Sequence, residues 1–294
     1  MNSVPRVVVL GAKGRLGRVL KNQCADQNML VKALGRTELD LALPDSIPQA
    51  LEGLEFDWLI NAAGTTDVDD CERHPKLAHV VNAEATGALA RACVNHGARL
   101  LQISTDYVFG GDSRALLTEQ DVPAPVNAYG QTKLEGEQAA MAEDRRAVVA
   151  RVSWLFGGDK QSFPDGVVMA GLAGDAILRV NDKWACPTYV EDLARWLLWL
   201  VEDGSHAGVI HLCNQGVASW SEYAQVALDL AGELGLRLRT THVEGHTMEG
   251  FDRFIAKRPP FTALDTGLFT RLSGIAARPW QEALAEYLKH RYTR

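Results

Sequence analysis

The sequence has few cysteines, no cluster of positive charge and no long apolar run. None of its five cysteines stands in a CxxC pair, and its eight histidines are scattered, so the sequence predicts neither a disulfide scaffold nor a metal site. Thirty Lys and Arg against 37 Asp and Glu argue against nucleic acid as the main partner, since that role needs a concentrated positive field. The longest apolar stretch, residues 193–201, contains Arg195 and is too short to cross a bilayer. We therefore expect a cytoplasmic protein with no membrane partner.

The pattern that is present is an alternation of short apolar runs with amphipathic stretches. Predicted helices lie near residues 15–26, 75–96 and 128–143, and predicted strands near 6–10, 29–34, 57–61, 98–104 and 147–152. Such alternation is typical of an α/β fold whose parallel sheet is covered by helices on both faces. The sequence therefore predicts a doubly wound, Rossmann-type parallel sheet.

The pattern loosens after residue 153, where a smaller α+β substrate lobe, formed mainly by the C-terminal half, is expected. Residues 157–159, 161–166 and 177–182 resemble loops and short elements, and later helices are predicted near 189–203, 219–234 and 279–291, with a strand near 208–213. We predict a dinucleotide-binding domain at 1–155, to which 187–213 return. The substrate lobe would comprise 156–186 and 214–294.

A glycine loop follows the first predicted strand. Gly11, Gly14 and Gly17 have GxxGxxG spacing, one residue different from the dinucleotide-binding fingerprint. Gly11 would allow a tight turn, Gly14 a close approach of backbone to a pyrophosphate, and Gly17 close packing of helix on strand. The N–H groups at the start of that helix would then bind the phosphates.

A Tyr and a Lys four residues apart form the second motif. Tyr129 and Lys133 would share one face of a helix, and Thr105 lies 24 residues before Tyr129 at the end of an apolar run. A neighbouring ammonium favours the ionised form of a phenol, whose ordinary pKa is about 10. The pair is therefore a candidate proton-transfer catalyst.

Together these motifs resemble the extended short-chain dehydrogenase/reductase family. Within that family, residues 104–110, 127–137 and 151–154 resemble the dTDP-4-dehydrorhamnose reductase branch, and the resemblance covers nearly the whole chain. It implies NADPH-dependent reduction of the 4-keto group of a nucleotide-linked 6-deoxy sugar, with dTDP-4-dehydrorhamnose as the expected substrate. Tyr129 would protonate the ketone oxygen, Thr105 would hydrogen-bond it, and Lys133 would hold the cofactor ribose while lowering the pKa of Tyr129.

The cofactor would be NADPH, although NADH stays open. Arg36 stands at the end of the second predicted strand, where NAD-dependent proteins carry an acidic residue, and Lys13 could add a second positive charge for a 2′-phosphate. The motifs and the resemblance together give a cofactor-binding set of Gly11, Lys13, Gly14, Arg15, Leu16, Gly17, Arg36, Asp40, Leu41, Asn61, Ala62, Ala63, Tyr129 and Lys133. Asn82 is expected to tie neighbouring backbone.

The substrate contacts depend on the resemblance more heavily. It implies a set of Thr105, Asp106, Trp154, Phe163, Asn181 and Arg258. Arg258 would meet the diphosphate, with a solvated cation before a proline turn as an equal alternative. The chain departs from the family pattern at Arg15, Thr65, Lys183 and Ala185, which leaves the particular sugar open.

Three rival functions share this fold. A nucleotide-sugar dehydratase needs an extra acid after the Thr-Asp pair, where this chain has Tyr107. An epimerase would retain tightly bound NAD, which Arg36 disfavours. The chain also resembles the non-catalytic regulatory β subunit of methionine adenosyltransferase, which binds NADP and a partner protein. A homodimer is left open.

Overall fold

The computed structural model describes residues 4–111, 113–250 and 254–293. Its strands are β1 Arg6–Leu10, β2 Leu30–Leu34, β3 Trp58–Asn61, β4 Arg99–Thr105, β5 Val148–Val152, β6 Leu155–Phe156, β7 Leu178–Val180, β8 Trp184–Ala185, β9 Thr188–Tyr189, β10 Gly208–His211, β11 Ala218–Ser219 and β12 Glu244–His246. Its α-helices are α1 Arg15–Asp26, α2 Ile47–Leu51, α3 Val68–Arg73, α4 Pro75–His79, α5 Ala85–Asn95, α6 Ala128–Glu143, α7 Phe163–Ala173, α8 Val190–Asp203, α9 Trp220–Glu233, α10 Gly267–Ser273 and α11 Trp280–Tyr292. A π-helical turn, Val80–Glu84, joins α4 to α5.

Six parallel strands form the central sheet in the order β10, β5, β4, β3, β1, β2. The chain passes from β1 outward to β2 and then returns to place β3 on the other side of β1, where Leu10 lies opposite Asn61. This reversal opens a crevice at the carboxyl ends of the strands, which is where open α/β sheets bind ligands. The prediction of a doubly wound parallel sheet is confirmed.

Both faces of the sheet are buried, because helices cover each of them. Val7 and Val9 of β1 face a core shared with α1 and α8, whereas Val8 and Leu10 face a core shared with α2 and α5. Alternate residues of the strand are therefore equally apolar, as expected for a strand covered on both sides. No helix in the described ranges is long and apolar enough to cross a membrane.

A second group of elements packs over the carboxyl edge of the sheet. Helices α7, α9 and α11 share a separate apolar core, which contains Phe156, Tyr223 and Trp280. Two-stranded pairs join β6 to β9, β7 to β12 and β8 to β11. Strand β10 pairs with β5 and so belongs to the main sheet. The division of the chain at residues 155, 187 and 214 stays a prediction.

The expectation of loops and short elements at residues 161–166 misses the helix α7, which begins at Phe163 and continues to Ala173. Ser162 and Asp165 form a capping box, in which the Asp165 carboxylate accepts from both the N–H and the hydroxyl of Ser162, each at 2.6 Å. Pro164 stands in that first turn, where its missing N–H costs no hydrogen bond. These three residues carry a helix-start signal that the sequence interpretation overlooked.

Candidate active site

A cavity of about 1100 Å³ runs along the carboxyl edge of the sheet. One end lies at the glycine loop before α1, and the other lies among aromatic side chains of the second group of elements. Thr105, Tyr129 and Lys133 line the cavity between these ends. The structure therefore brings the expected catalytic residues and the phosphate loop into one space, with room for an extended ligand.

Two glycines of the phosphate loop cannot be replaced without moving backbone. A Cβ atom on Gly11 would lie 2.7 Å from the carbonyl oxygen of Ala62, and Gly11 has a φ of +77°. A Cβ atom on Gly17 would lie 2.2 Å from the carbonyl oxygen of Gly11. Helix α1 starts after Gly14 with no side-chain cap, so its first N–H groups are available to an anion. Gly17 acts by packing and does not line the cavity, whereas Gly11, Gly14 and Leu16 do.

The loop after β2 forms the cationic end of the cavity. Lys13 and Arg36 both line it, together with Asp40 and Leu41. The Arg36 side chain is 78% exposed, and its Nε atom donates to Asp40 at 3.2 Å. The pKa of Asp40 is lowered, first by the hydrogen bond from the N–H of Ala42. Both cations can turn toward a ligand, because neither is buried in a fixed contact.

The segment after β3 is held by a buried amide. The side chain of Asn61 donates to Gln102 at 2.8 Å and accepts from the N–H of Ala63 at 3.1 Å. Ala62 and Ala63 line the cavity, but Asn61 does not. Asn61 is therefore placed to shape the cofactor loop, and direct contact between its side chain and a cofactor stays a prediction.

Helix α6 presents the catalytic pair at its first turns. Asn127 caps the helix by accepting from the N–H of Gly130 at 2.8 Å, and its amide also donates to the carbonyl of Lys257 at 2.8 Å. This cap fixes where the helix begins and thus where Tyr129 lies. Tyr129 and Lys133, one turn apart, are both buried and both reach the cavity.

The electrostatics of Tyr129 differ from the sequence expectation. Burial raises the pKa of Tyr129 above its ordinary value, and a hydrogen bond with Thr105 opposes the rise. Burial outweighs the neighbouring ammonium of Lys133, which donates to the carbonyl of Ile103 at 2.6 Å. In this state the phenol is a protonated acid, which is the form that a proton donor to a ketone requires.

Lys133 titrates in the working range of an enzyme. Burial lowers its pKa to about 8, and the carboxylate of Glu137, one turn further along α6, opposes that change. Glu137 is itself buried against Arg151, with an Oε2 to Nη2 distance of 2.7 Å, and also accepts from Ser104. The sequence interpretation missed this ion pair, because its partners lie on different elements.

Asn82 lies in the π-helical turn and joins two parts of the site. Its amide donates to the carbonyl of Thr65 at 3.1 Å and to the hydroxyl of Thr132 at 3.2 Å, and it accepts from the N–H of Thr65 at 3.1 Å. The expectation that Asn82 ties neighbouring backbone is confirmed. Through it, the loop after β3 is fixed to the catalytic helix α6.

Aromatic side chains wall the far end of the cavity. Trp154 and Phe163 line it, as expected, together with Trp220 and Tyr223, which the sequence interpretation missed. Trp154 and Trp220 have ring centroids 5.6 Å apart, and Phe163 stacks on Tyr223 at 5.0 Å. Trp154 has a φ of +38°, a left-handed conformation that bulky residues rarely adopt. A flat, apolar wall of this kind suits a sugar or base ring.

Arg15 spans the two ends of the cavity. Its guanidinium donates to the carbonyls of Gly157, Lys160 and Gln161, the last two at 2.8 and 2.7 Å. Burial lowers the pKa of Arg15. The residue thus links the phosphate loop to the loop that precedes α7.

Asn181 and Arg258, two of the predicted substrate contacts, do not line the cavity. The backbone N–H of Asn181 donates to the carbonyl of His246 at 2.8 Å. Arg258 is 8% exposed and pairs with both carboxylate oxygens of Asp69 at 2.9 Å. It is therefore not a solvated cation, and its contact with a diphosphate stays a prediction.

Comparisons with known proteins agree with this arrangement. The profile of the family described as the RmlD substrate binding domain matches residues 5–293. The chain is 37% identical over 283 residues to a dTDP-4-dehydrorhamnose reductase of Mycolicibacterium smegmatis, covering 96% of this chain and 84% of that protein. It is 35% identical to a probable dTDP-4,6-dihydroxy-2-methyloxan-3-one 4-ketoreductase of Streptomyces antibioticus, covering 96% and 94%.

Solved structures show the same likeness. The dTDP-4-dehydrorhamnose reductase of Bacillus anthracis in complex with NADP superposes with a TM-score of 0.90 at 29% identity, covering 98% of this chain and 100% of that one. The profile match spans almost the whole chain, and the sheet, glycine loop and Tyr129–Lys133 pair lie within it. The chain therefore belongs to the RmlD substrate binding domain family.

Proposed function

We propose that the protein uses NADPH to reduce the 4-keto group of a dTDP-linked 6-deoxy sugar, converting dTDP-4-dehydrorhamnose to dTDP-rhamnose. The observation that carries the proposal is the convergence of Thr105, Tyr129 and Lys133 in the same cavity as the phosphate loop. The relatives named dTDP-4-dehydrorhamnose reductase support the nucleotide and the sugar.

The residues present fit a dinucleotide. Gly11 and Gly17 let the phosphate loop pack closely on the Ala62 backbone and on α1. Gly11 and Gly14 line the cavity, and the start of α1 has no side-chain cap. Lys13 and Arg36 would meet a 2′-phosphate, and Lys133 would hold the nicotinamide ribose. When bound, the cofactor supplies a hydride to the carbonyl carbon.

The chain's own residues handle the proton. Tyr129 would donate its phenolic proton to the ketone oxygen, and the Thr105 hydroxyl would redirect its single proton from Asp106 to that oxygen when the substrate binds. Lys133 would stabilise the phenolate that results, because its ammonium lies one helical turn away. Trp154 would pack on the sugar, and water would be excluded by the buried walls around Tyr129.

The alternatives are less well supported. A dehydratase needs an extra acid after the Thr-Asp pair, and this chain carries the phenol of Tyr107 there instead of a carboxylic acid. An epimerase that retains NAD is disfavoured by Lys13 and Arg36 at the ribose end. Tyr129 is shielded from bulk solvent and lines the cavity. A regulatory protein that only binds NADP would not need a proton donor at this position.

The decisive experiment is a substrate panel followed by NADPH absorbance. The purified protein would be mixed with dTDP-, UDP- and GDP-linked 4-keto-6-deoxy sugars, and with the dTDP-linked ketone named for the Streptomyces antibioticus relative. We expect rapid oxidation with dTDP-4-dehydrorhamnose and a new hydroxyl at C4 in the product NMR spectrum. NADPH that binds without oxidation on any of these sugars would point to the regulatory role.

Cytoplasmic location and a homodimer stay predictions within this proposal. Sedimentation equilibrium across a range of protein concentrations would measure the oligomeric state. A single species at the mass of one chain would exclude the homodimer.

A further inference from the structure

Lys183 is a fully buried cation close to the catalytic residues. Its side chain has no exposed area, and its ammonium nitrogen donates to the hydroxyl of Thr262 at 2.6 Å. The same nitrogen lies 5.1 Å from the ring centroid of Tyr107 and 5.8 Å from that of Trp154. Burying a cation is costly unless a partner compensates it, so the surroundings of Lys183 need an explanation.

The explanation is a hydrogen-bonded chain with a fixed direction. An ammonium can only donate, so Lys183 donates to Thr262 and forces the Thr262 proton toward its other neighbour. That neighbour is Oδ2 of Asp106, which accepts from Thr262. Oδ1 of Asp106 accepts from the hydroxyl of Thr105 at 3.2 Å. Both oxygens of Asp106 are therefore paired with hydroxyl donors, an arrangement that favours the carboxylate form.

The chain ends at the proton donor. The oxygen of Thr105 accepts from the N–H of Tyr107 at 3.2 Å, and the Thr105 side chain hydrogen-bonds the phenol of Tyr129. Asp106 and Thr105 both line the cavity, whereas Lys183 and Thr262 lie behind them. Lys183 can thus influence the reaction only through the groups it orients.

We propose that Lys183 is a positioning residue that holds Asp106 as a carboxylate, and thereby fixes Thr105 beside Tyr129 and keeps an acceptor facing the substrate. The inference rests on the proposed function, because it takes Thr105 and Tyr129 to be the groups that meet the ketone. Without the ammonium, Asp106 would retain a proton and turn from an acceptor into a donor.

The charges around Asp106 support this assignment. Burial raises the pKa of Asp106, and Lys183 is the strongest opposing influence, followed by Thr262, Thr105 and Ser153. Burial lowers the pKa of Lys183 to about 8, which Asp106 and Cys186 oppose and Arg258 reinforces. The other titratable groups that act on this cluster are Tyr107, Tyr129 and Cys213. The ammonium is thus the principal cation acting on Asp106, and it is lost as pH rises through about 8.

Infrared spectroscopy tests the charge of Asp106 without requiring turnover. Spectra would be recorded near pH 7 for the wild-type protein and for Lys183→Gln, Lys183→Met and Asp106→Asn. In the wild type Asp106 should contribute no protonated-carboxyl band. Asp106→Asn should therefore leave that region of the wild-type spectrum unchanged. Both Lys183 variants should show such a band, and it should disappear when Asp106→Asn is added. The exposed Lys21 of α1 supplies the control, Lys21→Met, which should match the wild type.

The pH dependence of turnover tests the consequence. With the dTDP sugar and NADPH, Lys183→Gln should lose about tenfold in kcat/KM near pH 6.5, about the effect of one hydrogen bond to a charged group. The loss should shrink as pH rises and Asp106 ionises, whereas a purely structural defect would leave the same fold-loss at every pH. Lys183→Arg, which keeps the charge, should restore much of the activity.

Two results would overturn the inference. One is a protonated-carboxyl band in the wild-type spectrum that Asp106→Asn abolishes. This comparison does not require any Lys183 variant to fold. The other is a Lys183→Met protein with native near-UV circular dichroism and no new band. A wild-type protein that oxidises no NADPH on any sugar would instead refute the proposed function, and the infrared result would still decide the state of Asp106.

Discussion

Replacing Glu137 by Gln should destabilise the fold far more than the same change at an exposed site on the same helix. Glu137 is 1% exposed and Arg151 is 3% exposed. Three contacts of 2.7, 3.0 and 3.2 Å join the guanidinium to the carboxylate. The substitution keeps the volume and removes the charge, so Arg151 is left as a buried cation with no counter-ion.

The expected cost follows from the burial of the pair. Removing one partner of a buried ion pair typically costs about 3–5 kcal/mol, because the remaining charge stays desolvated. The unfolding of a protein of this size shifts by roughly 2–4 °C per kcal/mol. We therefore expect the melting temperature of Glu137→Gln to fall by about 10 °C. Removing both charges, as in Glu137→Met with Arg151→Met, should recover most of the loss.

Urea unfolding followed by circular dichroism measures the difference, with melting curves as a second readout. Glu143→Gln is the matched control, since Glu143 also lies on α6 and pairs with an arginine, Arg91, that is 64% exposed. Exposed pairs contribute little, so this control should unfold close to the wild type. If the two variants shift equally, or if the double substitution is worse than Glu137→Gln, the assignment of the cost to an unpaired buried charge is refuted.

Three further predictions concern catalysis. Tyr129→Phe should lower kcat by about 10²–10⁴-fold, the usual contribution of a general acid, while NADPH binding followed by fluorescence stays intact; an active Phe variant would remove Tyr129 from the mechanism. The pKa of Lys133 is about 8, so kcat/KM for NADPH should fall as pH rises through 8, because the ammonium is the form that binds the ribose. Glu137 raises that pKa, so Glu137→Gln should shift the fall in kcat/KM to lower pH. A fall that stays at the same pH in this variant contradicts the role of Lys133. Arg36→Ala should reduce the preference for NADPH over NADH by about tenfold, measured as a ratio of kcat/KM values, with Lys32→Ala on the exposed face of β2 as the control.

The sequence was sufficient for the parts of the site that neighbours along the chain determine. The glycine loop, the four-residue spacing of Tyr129 and Lys133, and the run of apolar residues that ends at Thr105 are local patterns. Strand ends in a parallel sheet meet at one edge, so the prediction of the fold already placed these residues near each other. The cavity that joins them follows from that geometry.

The sequence was insufficient where partners lie far apart along the chain. Lys183 and Thr262 are 79 residues apart, and Asp69 and Arg258 are 189 apart. Neither pair has a local pattern that reveals it, because an isolated Lys or Arg is more often a solvated side chain. The burial of these residues is decided by how the second group of elements packs over the sheet.

Burial also reverses one electrostatic argument made from spacing alone. A Lys one turn from a Tyr should lower the pKa of the phenol, yet the pKa of Tyr129 is raised because desolvation dominates. The four-residue spacing determines that Lys133 lies beside Tyr129, but the polarity of the surroundings determines whether the pKa of Tyr129 rises or falls. The missed helix α7 is a different case, because its capping box is a local pattern. Ser162 and Asp165 are three residues apart, so the sequence alone was sufficient to predict this helix start.

The π-helical turn between α4 and α5 has a consequence for how this chain can change by insertion and deletion. A π-helical turn holds one more residue than the α-helical turn it replaces, and such turns are frequent at functional sites. Deleting one residue between Val80 and Asn82 would allow an uninterrupted α-helix with better backbone hydrogen bonds. It would also rotate the Asn82 side chain by about 100° away from Thr65 and Thr132. Loss of this one extra residue would therefore stabilise the helix but would disrupt the active site. The active site thus requires the chain to keep a residue that the helix alone does not need.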